Sequence, residues 1–545
     1  MSESLELSSP KSEVPRDAWR YPRLDVRRER NAIALVNVPY GADTTGSFKP
    51  LGLASLGSYL TAHGISVVGF DVSDSQKTIE TIVRDFKLAE FPVVGLSFYN
   101  SNAHTAFEMA RAIKHVNSSV IIIAGGPHAS ASHSTMSLDH PEIDIIVRNE
   151  GEEVLRDVME CLLHGISLDD VKGISGHQSG NLRINSERER LNDLDALPPP
   201  TFHFERENPE SEALFFDRSA RRFRQATALV TSRSCPFRCS FCAIILIGRK
   251  WRKMSAAKVV ADFRALERDG QTKYEHIYFL DANFFVDYRR SLEIARALNG
   301  YRADITFSFS TRVNQLIHGQ SALAELKRLG LRAVELGIES GSDAALRRFA
   351  KDVTVAENDR AIVLLKEHDI QLFLDFIMFD AETTLDDLSL NLSFLERNGL
   401  DSYVPWDHLF SYMTPYLGTE IRRHYQDKLQ IELSNDDLPV PRNCVTPGAV
   451  RQIFDELWSL RPWMSGLAGA LQQLERRRRT VGCRESARTA LNAATIRRLP
   501  FLVLRNLVSS AKAGQIPSLR SAIPFLYRDG GTACTLEEFL NDAFL

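Results

Sequence analysis

Residues 226–242 read ATALVTSRSCPFRCSFC. Ala226 to Ser232 is a short apolar run of the kind that fills a strand buried on both faces. Directly after it come Cys235, Cys239 and Cys242 in a C-x3-C-x2-C spacing. Working outward, further strands are expected at His276–Asp281, Ile305–Arg312, Arg332–Ser340, Leu372–Phe379 and Tyr403–Phe410. Helical stretches at Ala257–Arg268, Tyr288–Leu298 and Leu385–Arg397 fall between them. Six βα units in about 200 residues predict a partial (β/α)6 TIM-type barrel, which places the cysteines at the carboxyl end of its first strand, where such folds hold their chemistry.

Upstream, Asn31–Val38, Ser66–Asp71, Val93–Tyr99, Val120–Gly126 and Ile143–Asn149 are continuous apolar runs. Helical spacing at Leu51–His63, Thr78–Glu90, His104–His115 and Glu152–Leu163 separates or closes them. This is an α/β pattern, a doubly wound parallel sheet of flavodoxin-like or Rossmann-like type. No Gly-x-Gly-x-x-Gly follows the first strand, which argues against a dinucleotide. Between 166 and 220 the alternation stops. Gly173–Asn185 reads as a small hairpin around Ser179-Gly180, and Leu197–Thr201 (LPPPT) as a stiff linker.

The expected organisation is a polar tail (1–29), the sheet domain (30–165), a linker with its hairpin (166–220), the barrel (221–430) and a helical C-terminal extension (431–545). In the extension, Val450–Leu460, Gly466–Arg479 and Ser486–Arg498 read as helices. Glu475 to Arg528 holds twelve Arg or Lys against two acids. That excess fits a solvated face, a face covering an acidic neighbour, or a site for an anionic substrate or partner.

Composition narrows the classes. The chain has 545 residues, 44% hydrophobic and 25% charged, which excludes wholesale disorder and a coiled coil. A net charge of −4 gives no general electrostatic case for nucleic acid. No apolar run is long enough to span a membrane, and Met1 to Arg30 lacks the apolar core of a secretion signal. Seven cysteines exclude a disulfide scaffold, so a reducing cytoplasm is expected.

Three clustered thiolates suit zinc or an iron–sulfur cluster. Structural zinc needs a fourth ligand, yet Cys161 and Cys444 are far away and no His lies within 30 residues of the triad. A cubane held by three thiolates leaves one iron open, which is a catalytic layout. A zinc site or inert core thiols remain the structural alternatives.

C-x3-C-x-Phe-C at the end of a first barrel strand resembles the signature of radical S-adenosylmethionine enzymes. The resemblance implies a [4Fe-4S] cluster on Cys235, Cys239 and Cys242, with Phe241 near the adenine of S-adenosylmethionine. It implies further contacts to that cofactor from Asp281, Asn283, Ser310, Arg312, Glu339 and Ser340 at strand ends. Gly337-Ile-Glu-Ser-Gly341 and Thr414-Pro-Tyr-Leu-Gly-Thr419 are similar to segments of the family. Met378–Thr383 lacks the glycines and proline that many relatives carry there.

The sheet domain resembles the cobalamin-binding domains fused to such barrels. Lys49-Pro-Leu-Gly-Leu53, Gly95-Leu-Ser97, Gly125-Gly-Pro-His128 and Asn149-Glu-Gly-Glu152 carry the likeness. It implies cobalamin contacts from Leu51, Gly52, Ser97, Tyr99, Gly125, Gly126, Glu150 and Gly151. The Asp-x-His-x-x-Gly motif of classical cobalamin carriers is absent. His104 and His128 are therefore either cobalt neighbours or ordinary surface and packing histidines.

Together the likenesses imply a cobalamin-dependent methyltransferase at an unactivated carbon, using a 5′-deoxyadenosyl radical and methylcobalamin. The alternatives are a non-methylating relative (an anaerobic oxidative cyclase or a ring-rearranging enzyme) and a non-catalytic cobalamin or redox sensor. The expected partners are a small-molecule substrate, lined by Trp406, His408 and Tyr412, and an external electron donor of flavodoxin or ferredoxin type. No membrane or nucleic-acid partner is expected.

Overall fold

Strands form where apolar residues are covered on both sides, and the central strands of the first sheet follow that rule. The computed structural model describes residues 18–24, 32–40, 48–73, 75–178, 180–200, 204–206, 213–248, 250–270, 273–402, 406–433, 444–445, 448–461 and 487–515. The chain divides into two units, Met1–Asn192 with Ala196–Ser211, and Asp193–Asp195 with Glu212–Leu545.

The first unit runs β1 (Ala32–Asn37), α1 (Leu51–Ala62), β2 (Ser66–Asp71), α2 (Ile79–Asp85), β3 (Val93–Ser97), α3 (Ala103–Val116), β4 (Ile121–Gly125), α4 (Pro127–Asp139), β5 (Ile145–Val147), α5 (Glu152–His164), β6 (Ile174–Gln178), β7 (Asn181–Ile184) and β8 (Phe204–Arg206). The strand order is β7-β6-β5-β4-β3-β1-β2-β8. Its centre is the doubly wound arrangement, with order reversing between β1 and β3. Alternate residues of β1 show why both faces are dry. Ile33 and Leu35 join a core with Leu53 and Leu60 of α1 and Val154 and Val158 of α5. Ala34 and Val36 face the opposite core, with Ile82 of α2, Phe107 and Met109 of α3 and Met136 of α4.

Three features extend this sheet beyond the sequence reading. The hairpin β6–β7 pairs antiparallel onto β5, so it belongs to the sheet rather than to a linker. The short strand β8 pairs in parallel with β2. Within the segment expected as a polar tail, Trp19 is fully buried in the core of α1 and α5, with its backbone N–H donating to Asp169 at 3.3 Å.

The second unit continues with β9 (Leu214–Asp217), β10 (Arg222–Leu229), β11 (Ser232–Arg233), α6 (Ile244–Ile247), β12 (Arg252–Lys253), α7 (Ala256–Gly270), β13 (His276–Phe279), α8 (Tyr288–Tyr301), β14 (Thr306–Arg312), α9 (Val313–His318), α10 (Leu323–Arg328), β15 (Leu331–Glu339), α11 (Asp343–Arg348), α12 (Val355–Glu367), β16 (Gln371–Phe376), α13 (Leu385–Arg397), α14 (Glu420–Asp427), α15 (Ala449–Ser459) and α16 (Ala487–Lys512). The sheet order is β16-β15-β14-β13-β10-β9. Five parallel strands follow one another in chain order, the winding of a curled half-barrel, and β9 closes the β10 edge antiparallel.

Of the sixth expected strand, Tyr403–Phe410, residues 403–405 lie outside the described residues and the remainder is corrected. Trp406–Phe410 forms a 3-10 turn, and parallel pairing is a single bridge between Phe379 and Tyr412. Pro405 in that run supplies no N–H for a ladder. Of the basic extension, α16 lies against acids of this unit: Arg498 and Arg505 pair with Glu396 of α13, and Lys512 with Asp386. Gly466–Arg479 lies outside the described residues.

Candidate functional site

The cysteine segment leaves the carboxyl end of β10 and is pinned by its own backbone. Ser234 takes a left-handed conformation (φ 71°), and its hydroxyl donates to the Gly248 carbonyl. The Ser240 N–H donates to the Phe349 carbonyl at 3.0 Å, its hydroxyl to the Arg348 carbonyl at 2.9 Å, and the Ile421 N–H returns to the Ser240 carbonyl at 2.9 Å. The loop is thereby tied to the end of α11 and the start of α14. Phe241 packs edge-on against Phe349, ring centroids 6.0 Å apart.

All three thiols have donors aimed at them. The Phe237 N–H acts on Cys235, Arg312 Nη1 donates to Cys239, and the Ile244 N–H acts on Cys242. Burial raises the pKa of Cys235, and burial together with the neighbouring cysteines and Glu339 pushes Cys242 up to about 11. Side by side, the thiols oppose one another's ionisation, so a cationic core is what would hold them all as thiolates. Among the described residues, no three His, Cys, Asp or Glu side chains converge as they would on one metal ion. Three thiols on one loop supply the donor set of an iron–sulfur cluster that keeps one iron open.

The other strand-end residues divide into two groups. Asp281 and Ser340 have their polar atoms engaged within the fold. Asp281 accepts from the Thr231 N–H at 3.1 Å, the Thr231 hydroxyl at 3.0 Å and Ser232, tying the start of the cysteine segment to β13. Ser340 donates to Asn391 at 2.8 Å. In the second group, Ser310, Arg312 and Glu339 lie with Gly337 along the carboxyl half of the sheet. Arg312 also donates to the Lys351 carbonyl and lies 4.2 Å from the Phe237 ring centroid. Glu339, at φ 63°, accepts from Lys351 Nζ at 2.9 Å, and both side chains are buried. A Cβ on Gly337 would lie 2.9 Å from each of them, so the glycine makes room for this ion pair.

Below Gly337 lies a polar layer of which the sequence reading singled out only Ser310. His276, Tyr278, Ser308, Ser310, Glu335 and Asp375 share one face by strand register. Tyr278 donates to Glu335, and Ser310 is 2.7 Å from the Tyr278 hydroxyl. His276 is held neutral by burial and reaches Thr306 and Ser308, both at 2.8 Å. Burial, then Glu335 and Glu339, pushes Asp375 up to about 8. One signal was present: in AVELGIE and LFLDF the acids alternate with apolar residues, which places them on the face away from the helices.

In the first unit the expected cobalamin contacts gather at the carboxyl edge of the sheet. Leu51 and Gly52 open α1, Ser97 ends β3, Tyr99 follows it, Gly125 and Gly126 end β4, and Glu150 and Gly151 precede α5. Asn102 stitches the switch point, accepting from the Tyr99 N–H at 2.8 Å and donating to the Val38 carbonyl at 3.0 Å. Tyr99, half exposed, faces Tyr40 with centroids 6.1 Å apart. Gly126 sits at φ 100°, where a Cβ would lie 2.5 Å from the Phe98 carbonyl. At Gly52 nothing lies within 4 Å of an added Cβ. An edge this open, lined by glycines, fits the close approach of a large ligand.

Neither histidine considered for cobalt is placed distinctively. His104 pairs with Glu108 on an exposed face of α3, and His128 is buried against Phe98 and Phe107. Tyr412 packs against Phe454 and Trp458 of α15, while the side chain of Trp406 lies outside the described residues. No helix among the described residues is long and apolar enough to cross a membrane.

Comparison with known proteins gives two family matches: the B12 binding domain over residues 38–159 and the radical SAM superfamily over residues 229–394. An uncharacterized methyltransferase of Pyrococcus horikoshii is 27% identical over 69% of this chain and 78% of its own length. An anaerobic magnesium-protoporphyrin IX monomethyl ester cyclase of Rubrivivax gelatinosus is 25% identical over 70% of this chain and 68% of its own. The solved structure of the cobalamin-dependent S-adenosylmethionine radical enzyme OxsB, with aqua-cobalamin and S-adenosylmethionine bound, shares the fold. Its TM-score is 0.71, at 22% identity, covering 94% of this chain and 78% of that one.

Proposed function

Because one chain carries a B12-binding domain and a radical SAM domain, the protein belongs to the cobalamin-dependent radical S-adenosylmethionine enzymes, and we propose that it methylates an unactivated carbon of a small molecule. The observation that carries this reading is the cysteine segment, braced from both sides and with a donor at every sulfur. When bound, the cluster, S-adenosylmethionine and cobalamin supply a hydrogen-abstracting radical and a transferable methyl group.

The chain's own part is to bind and orient. Cys235, Cys239 and Cys242 hold the cluster. Phe241, Ser310, Arg312 and Glu339 lie along S-adenosylmethionine, with Asp281, Asn283 and Ser340 bracing that wall. Leu51, Gly52, Ser97, Tyr99, Gly125, Gly126, Glu150 and Gly151 line the cobalamin edge. Asp375, protonated at neutral pH, offers a hydrogen-bond donor to the interior of the half-barrel rather than a second charge beside Glu335. The reductant is a one-electron donor of flavodoxin or ferredoxin type, in a reducing cytoplasm. The units of function are 30–165 for cobalamin, extended by Trp19, the β6–β7 hairpin and β8, and 221–430 for radical chemistry.

The similarity to the Rubrivivax cyclase favours a second reading, radical chemistry without methyl transfer. Anaerobic reconstitution with iron, sulfide, cobalamin, reductant and S-adenosylmethionine separates the two. S-Adenosylhomocysteine together with 5′-deoxyadenosine supports methyl transfer, whereas 5′-deoxyadenosine alone favours the second reading. Cofactor loading with neither product would sink both.

A further inference from the structure

Buried polar atoms without partners gather under α4 in the first unit. Arg148, just past β5, is 7% exposed, and its Nε–H has no acceptor among the described residues. Its Nη2 donates to the Ile174 carbonyl at 3.2 Å and to the Asn185 carbonyl, which fixes the guanidinium over the start of β6 and the end of β7. Ser175, the next residue of β6, is fully buried, and its hydroxyl has no partner among the described residues. Strand register places both side chains on one face. Ser175 pairs with Ile146, which shares a core with Met136 of α4, and Arg148 lies two residues beyond Ile146. α4 covers that face, and its Ser130 hydroxyl accepts from the Asn149 N–H at 2.8 Å. His133 follows one turn along the helix, its Nδ1 also buried without a partner among the described residues.

Among the described residues no carboxylate is ion-paired to Arg148. Glu187 acts on it from an exposed position, and Arg190 opposes that effect. A buried guanidinium without a counter-charge is costly. The groups left over are a guanidinium N–H, a hydroxyl and an imidazole nitrogen, and all three can donate. We propose that Arg148 and Ser175 bind a small monovalent anion, a halide or a carboxylate group, beneath α4, with His133 Nδ1–H as a further donor. Burial, then Arg148, disfavours protonation of His133, so it brings an N–H and no second charge. The bound anion neutralises Arg148 and ties α4 to the β6–β7 hairpin. The site lies on the face of the sheet opposite α1 and α5, and it is independent of the radical-enzyme reading.

The test uses the full-length protein and two probes, bromide in crystals and chloride in solution. Bromide is expected to give an anomalous peak within hydrogen-bonding reach of Arg148 Nε and Ser175 Oγ. In solution, the chloride NMR linewidth is titrated with protein and then with sodium acetate at constant ionic strength. Ser175→Ala is expected to weaken chloride binding about tenfold, the loss of one hydrogen bond to a charged group. Arg148→Gln is expected to abolish it. If Arg148→Gln does not fold, Ser175→Ala, which removes a single oxygen, decides. Release of chloride by acetate supports the carboxylate form of the site, and retention supports the halide form. A bromide-grown crystal without a peak at Arg148, or equal chloride broadening by wild type and Ser175→Ala, overturns the proposal.

Discussion

Cys239 is the least exposed of the three candidate cluster ligands and the one to which Arg312 donates. Cys239→Ala should abolish the visible absorbance of the reconstituted cluster, while far-ultraviolet circular dichroism stays at wild type. A retained cluster spectrum would refute the ligand assignment. Asp375 gives a different kind of test, one of pH. Its pKa rises from 3.8 to about 8 on folding, so the folded protein keeps a proton that the unfolded chain releases. That contribution is fully present below about pH 4 and is lost as pH rises through about 8. Asp375→Asn, neutral throughout, should flatten this decline and melt at least about 2 °C above wild type at pH 9, read by calorimetry. The two residues also differ in legibility. Cys239 announces itself through spacing, whereas Asp375 and Glu335 are single acids within apolar strands, and only the strand register makes them neighbours. Lys351 was illegible for a related reason. It follows α11 in a loop, and its burial depends on the room left by Gly337.

Elements buried on both faces were legible because covering is written into composition: β1, β3 and β4 are unbroken apolar runs, and their helices keep their own spacing. Elements that depend on a distant partner were not. β8 is three residues long and exists by pairing with β2, and β9 exists by folding back on β10. The turn between β4 and α4 makes a prediction at this scale. Gly126→Ala puts a Cβ against the Phe98 carbonyl and asks alanine to hold φ 100°. The expected cost is about 1–3 kcal/mol, read as a lower denaturant midpoint with unchanged slope, together with weaker cobalamin binding by absorbance titration. The basic helix α16 tests the opposite expectation. Arg498, Arg505 and Lys512 meet Glu396, Asp401 and Asp386, so these three charges are answered inside the fold. These pairs are exposed or half-exposed, and Glu396→Ala should cost no more than about 1 kcal/mol in chemical denaturation. A larger loss would mean that Glu396 does more than answer charge.

For the whole molecule, the question is where one unit ends. The alternation of strand and helix stops near residue 165, and that is where composition draws the limit. The sheet continues past it, through β6, β7 and β8, and the chain before it contributes Trp19. Trp19 and Gly176 of β6 are packed so closely that a Cβ on the glycine would lie 2.8 Å from the indole. The Leu24 N–H donates to the Leu162 carbonyl at 3.1 Å, which ties the same segment to α5. A fragment spanning 30–165 therefore exposes the β5 edge and opens a hole the size of an indole, both routes to aggregation. A fragment spanning 1–211 keeps the edge and the ring, and should fold and bind cobalamin by itself. Trp19 is the sole tryptophan in that fragment, so its emission reports the packing without interference. The expected result is blue-shifted emission that moves to the red in one cooperative step with urea. Trp19→Leu should lower that midpoint, monitored by circular dichroism, with a loss of about 3–5 kcal/mol as the upper range for a removed indole. Solvent-exposed emission from the 1–211 fragment in buffer, with cobalamin binding intact, would show that Trp19 is dispensable to the unit.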